Sequence, residues 1–241
     1  MCNILFVEWL LERIMNKTLL IAGTDTNVGK TVLTTALISY WQTYYSSRTL
    51  GVFKPIQTGQ GDRELYTQLF TLNQSIAEIN PLHFAAPLAP PIAAELERKI
   101  VDLKLVWSQL CQLQKSRDFV LIEGLGGLGS PVTDELIVAD LARDWHLPTI
   151  LVVPVRLGAI AQAVANVALA RQTGVLLKGL VLNCVEPCSE QDIENWTPTH
   201  LIESLTQIPI LGILPYLDTP TDREKLTQIA SDLDLETIFN E

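Results

Sequence analysis

The sequence predicts an α/β protein: a single-domain, doubly wound, mostly parallel sheet flanked by helices. Three observations predict it. Short apolar runs alternate with helix-periodic stretches from residue 18 nearly to the end. Those runs are apolar on both faces, as strands buried inside a parallel sheet must be. The first of them leads through a glycine turn directly into a helix, the arrangement that gathers backbone N–H groups around an anion.

In chain order, Thr18-Leu19-Leu20-Ile21-Ala22 is the first strand, and the periodic stretch 32–44 the helix after its turn. Residues 49–53 form the second strand and 62–69 a helix. The periodic stretch 103–115 is a longer helix, feeding a third strand at 118–122. A helix at 136–145, a strand at 149–153 and a helix at 160–173 repeat the alternation. A strand at 179–182, a helix at 199–205, a strand at 210–214 and a helix at 222–233 complete it. No internal repeat and no Gly/Ser-rich or Pro-rich linker divides the chain, so residues 17–241 read as one domain. Residues 1–16 read as an N-terminal extension. The apolar run Asn3-Ile4-Leu5-Phe6-Val7 gives way to Glu8, Glu12 and Arg13, and the segment reads as an upstream extension with Met15, three residues before the first strand, as the true start, a short surface-packed helix being the alternative. The segment is too short and too charged to span a bilayer and lacks the basic region of a signal peptide.

Composition excludes several classes of function. A net charge of −10, with seventeen basic residues scattered in no run, argues against nucleic acid as the partner. At 48% hydrophobic and 18% charged, the chain is an ordinary soluble protein with no membrane segment. Four cysteines (Cys2, Cys111, Cys184, Cys188) are too few and too irregular for a disulfide framework or a zinc site, which points to the reduced cytoplasm. His83, His146 and His200 are equally dispersed.

In open α/β sheets ligands collect beyond the carboxyl ends of the strands. Residues 23–31, 54–62, 123–130, 154–158, 183–184 and 215–217 follow the expected strands, and three of these segments carry chemistry. Gly23-Thr24-Asp25-Thr26-Asn27-Val28-Gly29-Lys30-Thr31 is a phosphate loop with five residues between its glycines where the common form has four. Lys30 reaches the outer phosphates and the Thr31 hydroxyl sits on Mg²⁺. Phe53-Lys54-Pro55-Ile56-Gln57-Thr58-Gly59 follows the second strand. Pro55 holds Lys54 extended over the sheet edge. With an unperturbed pKa of about 10.4, Lys54 is a cation that neutralises developing charge rather than a base. Asp62 starts the next helix, where it either serves Mg²⁺ or caps the helix. Glu123-Gly124-Leu125-Gly126-Gly127 ends the third strand. If that strand lies beside the first, Glu123 is a second metal-binding acid, and the glycines let backbone approach a ligand. Thr31, Asp62 and Glu123 thus suit one Mg²⁺, which takes few protein ligands besides phosphate and water.

Together these motifs resemble the dethiobiotin synthetase family of P-loop NTPases. The resemblance also takes in Val155-Arg156-Leu157-Gly158 and Asn183, and covers the chain from about Lys17 to Leu217. It implies a cytoplasmic ligase of biotin synthesis, usually a homodimer, that uses 7,8-diaminononanoate, CO₂ and Mg·ATP and releases dethiobiotin, ADP and phosphate. One amine becomes a carbamate, ATP phosphorylates it, and the second amine closes the ring. By position, the resemblance makes Lys30 and Lys54 catalytic, assigns Mg²⁺ to Thr31, Asp62 and Glu123, and gives Thr58 the diamine or carbamate. It places ATP on Asn27, Val28, Gly29, Lys30, Thr31, Val32, Asp62, Glu123, Gly124, Leu125 and Gly126. Asn183 reads the adenine edge, with Pro215, Tyr216 and Leu217 nearby, and residues 155–158 complete the diamine site across the dimer. Two positions depart from the pattern: Asn27 stands where many members carry Glu, and Thr58 replaces a serine seen in some. Two alternatives are weaker. A cobyrinic-acid-type amidotransferase needs a glutaminase domain, and only a short tail follows the last strand. A partition or septum-positioning ATPase needs an early loop lysine where this chain has Gly23-Thr24-Asp25, and its membrane-targeting forms end in a basic helix where this chain has acidic Asp232-Leu233-Asp234-Leu235-Glu236.

Overall fold

Strands that are apolar on both faces need cover on both faces, and the architecture supplies it. The computed structural model describes residues 17–239, so the expectation for residues 1–16 lies outside the described residues. The chain runs β1 (Thr18–Gly23), α1 (Lys30–Tyr44), β2 (Leu50–Phe53), β3 (Ile56–Thr58), α2 (Asp62–Leu69), α3 (Ile76–Ile79), β4 (Leu82–Phe84), α4 (Pro90–Leu96) and α5 (Leu103–Ser116). It continues with β5 (Phe119–Gly127), α6 (Val138–Asp144), β6 (Thr149–Pro154), α7 (Ala159–Thr173), β7 (Leu177–Asn183), α8 (Glu190–Trp196), α9 (Thr199–Thr206), β8 (Ile210–Leu214), α10 (Arg223–Ser231) and α11 (Leu235–Phe239).

Six strands form one parallel sheet in the order β2-β5-β1-β6-β7-β8. Alternate residues of each strand feed opposite layers. Leu20 and Ala22 pack with Ala93, Val106, Leu110, Ala139 and Val167, under α4, α5, α6 and α7. Leu19 and Ile21 pack with Leu33, Leu37, Trp41, Leu226 and Ile229, under α1 and α10. Burying one Leu or Ile side chain contributes about 1.5–3 kcal/mol. A one-residue slip would exchange the two faces of a strand, so the pattern fixes the register. Ile21 lies opposite Glu123 on β5 and Ile150 on β6. The chain reverses its winding at β1, and the crevice beyond β1, β5 and β6 is the switch point where such sheets bind ligands.

All six expected strands are present and paired in this sheet. Four differ from the expected bounds by one to three residues at their ends; β5 differs most, running on to Gly127, and after a register shift Gly127 pairs with Gly23. A Cβ on Gly127 would stand 2.9 Å from the Thr24 carbonyl oxygen, so glycine is what lets the two strand ends meet. The sequence reading did not anticipate the small parallel pair β3–β4, nor helices α3, α4, α8 and α11. Three-residue strands carry too little periodicity to be seen, and β3 finds its partner 26 residues on, Ile56 opposite Leu82. Among the described residues no helix is long and apolar enough to cross a membrane.

Candidate active site

The turn after β1 is held from both sides. The Thr24 N–H donates to the Val152 carbonyl at 3.0 Å, and Asn166 of α7 donates its amide to the Thr24 carbonyl at 3.3 Å. Asn27 has φ 58°, a left-handed conformation that asparagine accepts far more readily than most residues. That gives the departure at this position a conformational basis. Gly29, at φ 99°, is the N-cap of α1, and a Cβ there would overlap the Asn183 side-chain amide. Val28 turns its side chain into the core and contributes its carbonyl, which accepts from Asn183 Nδ2 at 3.0 Å.

Lys30 folds back over the turn and donates from Nζ to the Asp25 carbonyl at 2.9 Å. Burial pulls its pKa down to about 8, against an opposing pull from Glu123. Next to it, the Thr31 hydroxyl lies 2.9 Å from Asp62 Oδ1 and 3.2 Å from Glu123 Oε1. Gly61, not Asp62, is the N-cap of α2, and the Gly61 N–H donates to Glu64 Oε2 at 3.0 Å. Asp62 is therefore free of capping, and its carboxylate turns toward Thr31 and Lys54.

Lys54 is buried between the two acids, with Nζ 2.5 Å from Asp62 Oδ2 and 2.8 Å from Glu123 Oε1. Burial alone would lower its pKa. Glu123 and Asp62 outweigh burial and hold the ammonium above the usual lysine value. The backbone around Lys54 is pinned as well: its N–H donates to the Ile79 carbonyl at 2.7 Å, and buried Asn80 donates Nδ2 to its carbonyl at 2.7 Å. Burial pushes the Glu123 carboxyl up, with Lys54 pulling it back. Burial also works against Asp62, but Lys54 overcomes it and holds that carboxyl low. Tyr66, fully buried one helical turn after Asp62, donates its hydroxyl to Glu123 Oε2.

These groups open into a cleft of about 420 Å³. Among the residues singled out from sequence, Asn27, Gly29, Lys30, Thr31, Val32, Lys54, Thr58, Asp62, Glu123, Leu125 and Gly126 line it. A second hollow of about 240 Å³ shares Asn27, Gly29 and Val32 and is walled by Asn183, Pro215, Tyr216 and Leu217. The phosphate loop thus forms a ridge between two hollows. Val28 and Gly124 line neither. Gly124 instead offers its carbonyl to Lys54 Nζ at 3.3 Å. Sequence reasoning missed Tyr66, Asn80 and Gln57, whose amide ties Glu64 and the Arg63 N–H together beside the cleft. For Tyr66 a signal existed: four residues after Asp62 in an expected helix, it had to share that face.

Cys184 lies on the floor of the second hollow, where burial and Cys188 push its thiol up to about 12. N-ethylmaleimide on the native protein at pH 8 is expected to label Cys188 well ahead of Cys184, read by peptide mass spectrometry. Equal labelling would contradict this burial.

A family profile described as AAA domain matches residues 17–224. The chain is 60% identical over 221 residues to an ATP-dependent dethiobiotin synthetase of Gloeothece citriformis, covering 92% of this chain and 98% of that protein. It is 44% identical to the protein of the same description from Gloeobacter violaceus, covering 90% and 93%. Among solved structures, the cell division ATPase MinD of Pyrococcus furiosus superposes with a TM-score of 0.58, covering 93% of this chain and all of that one. At 15% identity this likeness shows a shared fold alone.

Proposed function

The chain belongs to the ATP-dependent dethiobiotin synthetase family, an ATP-dependent ligase of biotin biosynthesis, and on that premise we propose which substrates it joins and which residues act on them. The substrates are 7,8-diaminononanoate, CO₂ and ATP; the products are dethiobiotin, ADP and phosphate. The observation that carries this reading is the meeting of Lys30, Thr31, Lys54, Asp62 and Glu123 at one end of the phosphate loop.

The backbone N–H groups of 27–32 and the positive end of the 15-residue helix α1 hold the triphosphate. The hollow walled by Asn183, Pro215, Tyr216 and Leu217 takes the adenine. Lys54 faces the other side of the loop, where the carbamate and the transferring phosphoryl group meet, and Lys30 serves the outer phosphates. Both act through charge and position, and phosphoryl transfer needs little else from a protein. Thr58, at the end of β3 on the cleft wall, orients the diamine or its carbamate.

Two carboxylates and a hydroxyl make a hard-oxygen donor set suited to Mg²⁺, and the Lys54 ammonium between the acids marks the spot as favourable to a cation. Thr31, Asp62 and Glu123 would hold the ion, which when bound supplies neutralising charge to the phosphates. A homodimer in the cytoplasm completes the proposal. Leu157, 85% exposed, stands beside Arg156, whose guanidinium lies 3.7 Å from Asp25 of the phosphate loop. This exposed apolar group, next in sequence to a residue that reaches the phosphate loop, supports residues 155–158 as the place where a second copy closes the diamine site.

Purified protein given 7,8-diaminononanoate, bicarbonate and Mg·ATP is expected to form dethiobiotin, detected by mass spectrometry, with one ADP per ring closed. ATP turnover indifferent to the diamine, or the absence of a cyclic urea, would overturn the reading.

A further inference from the structure

Tyr66 is fully buried, and its ring packs in the same core layer as Val52, Phe70 and Ile79. Phenylalanine would fill that space. A hydroxyl carried into the core costs free energy unless it finds a partner, and this one finds Glu123 Oε2. The opposite oxygen, Oε1, faces Lys54 at 2.8 Å and Thr31 at 3.2 Å. The two oxygens are thus divided between an inward neutral donor and an outward cationic side. Asp62 and Tyr66 sit one turn apart on α2, so the helix that brings one acid to the cleft also clamps the other.

We propose that Tyr66 is a positioning residue that locks the rotation of the Glu123 carboxylate, so that Oε1 is presented to the cleft. The terminal torsion of a glutamate is broad and two-fold, so its packing does not fix it. The hydrogen bond to Tyr66 does. The inference rests on the reading of Glu123 as a ligand of the nucleotide's divalent cation.

The test compares wild type, Tyr66→Phe, Glu123→Gln and the double variant for Mn²⁺ binding to the ADP complex by electron paramagnetic resonance. Loss of a group that orients a metal ligand typically weakens the metal about 10–100-fold, and Tyr66→Phe is expected near the lower bound. The double variant should bind no more weakly than Glu123→Gln alone, because Tyr66 acts only through that carboxylate. Wild-type Mn²⁺ affinity in Tyr66→Phe, with Glu123→Gln weakened, overturns the role of Tyr66 and leaves the metal reading standing. Wild-type affinity in Glu123→Gln overturns both. Additive losses in the double variant reduce Tyr66 to packing. A readout without any deletion is the ¹⁹F resonance of 3-fluorotyrosine at position 66, which must move when Mg²⁺ joins the ADP complex. A stationary resonance overturns the proposal.

Discussion

Lys54→Met is expected to lower kcat by about 10²–10³-fold, the usual cost of removing one preorganised group from a developing negative charge. Methionine keeps the length and apolar stem of lysine and deletes only the ammonium. ATP affinity is expected to stay within about tenfold of wild type, because the loop N–H groups and Lys30 are untouched. The variant also leaves Asp62 and Glu123 facing each other without the cation between them. Breaking a buried pair from one side costs about 3–5 kcal/mol, so the melting temperature without ligand should fall. Mg²⁺ with ATP should restore part of it, since cation and acids then meet directly. Rapid-quench turnover, calorimetric ATP binding and melting curves with and without Mg·ATP check the three parts. A kcat near wild type removes Lys54 from the chemistry, and loss of ATP binding equal to the loss of kcat moves it into nucleotide binding.

What could be read from the sequence follows from where the chain is most constrained. Lys54 comes directly after buried β2, Glu123 sits within buried β5 and Thr31 opens the helix beyond β1, and a strand buried on both faces has few alternatives to the sheet. Locating those strands therefore located the carboxyl edge and the groups on it. Asp62 was ambiguous between cap and ligand, and the backbone shows that Gly61 takes the cap, which leaves the Asp62 carboxylate free of that role. For Tyr66 the shared helix face with Asp62 was legible, but the role of its hydroxyl was not. An aromatic residue on a helix reads as core whatever its hydroxyl does, and the distinction lies in one hydrogen bond to a residue 57 positions away. Asn80 and Gln57 act through pairings that no local pattern encodes. Asn183 was expected at the adenine edge; its amide is engaged by the Val28 carbonyl, so it braces the phosphate loop while walling the second hollow.

That brace makes Gly29→Ala the other change with a large expected effect. Gly29 has φ 99°, where an L side chain costs about 1–2 kcal/mol. A Cβ there would also overlap the Asn183 amide, buried and tied to Val28. Either the loop opens or Asn183 withdraws, and both move the N–H groups proposed to hold the phosphates. ATP affinity is expected to fall by about 100-fold or more, the equivalent of some 2.7 kcal/mol. The global fold should lose only about 1–2 kcal/mol, because the strain is local to one turn. Adding Asn183→Ala separates the two causes: it removes the overlap and leaves the torsion. The Gly29→Ala/Asn183→Ala protein should therefore recover part of the affinity, remaining about tenfold below Asn183→Ala alone. Calorimetric titration of ATP into the three variants measures this directly. Full recovery in the double variant would make steric overlap the sole reason for glycine. Unchanged affinity in Gly29→Ala would mean that the backbone between β1 and α1 does not hold the nucleotide.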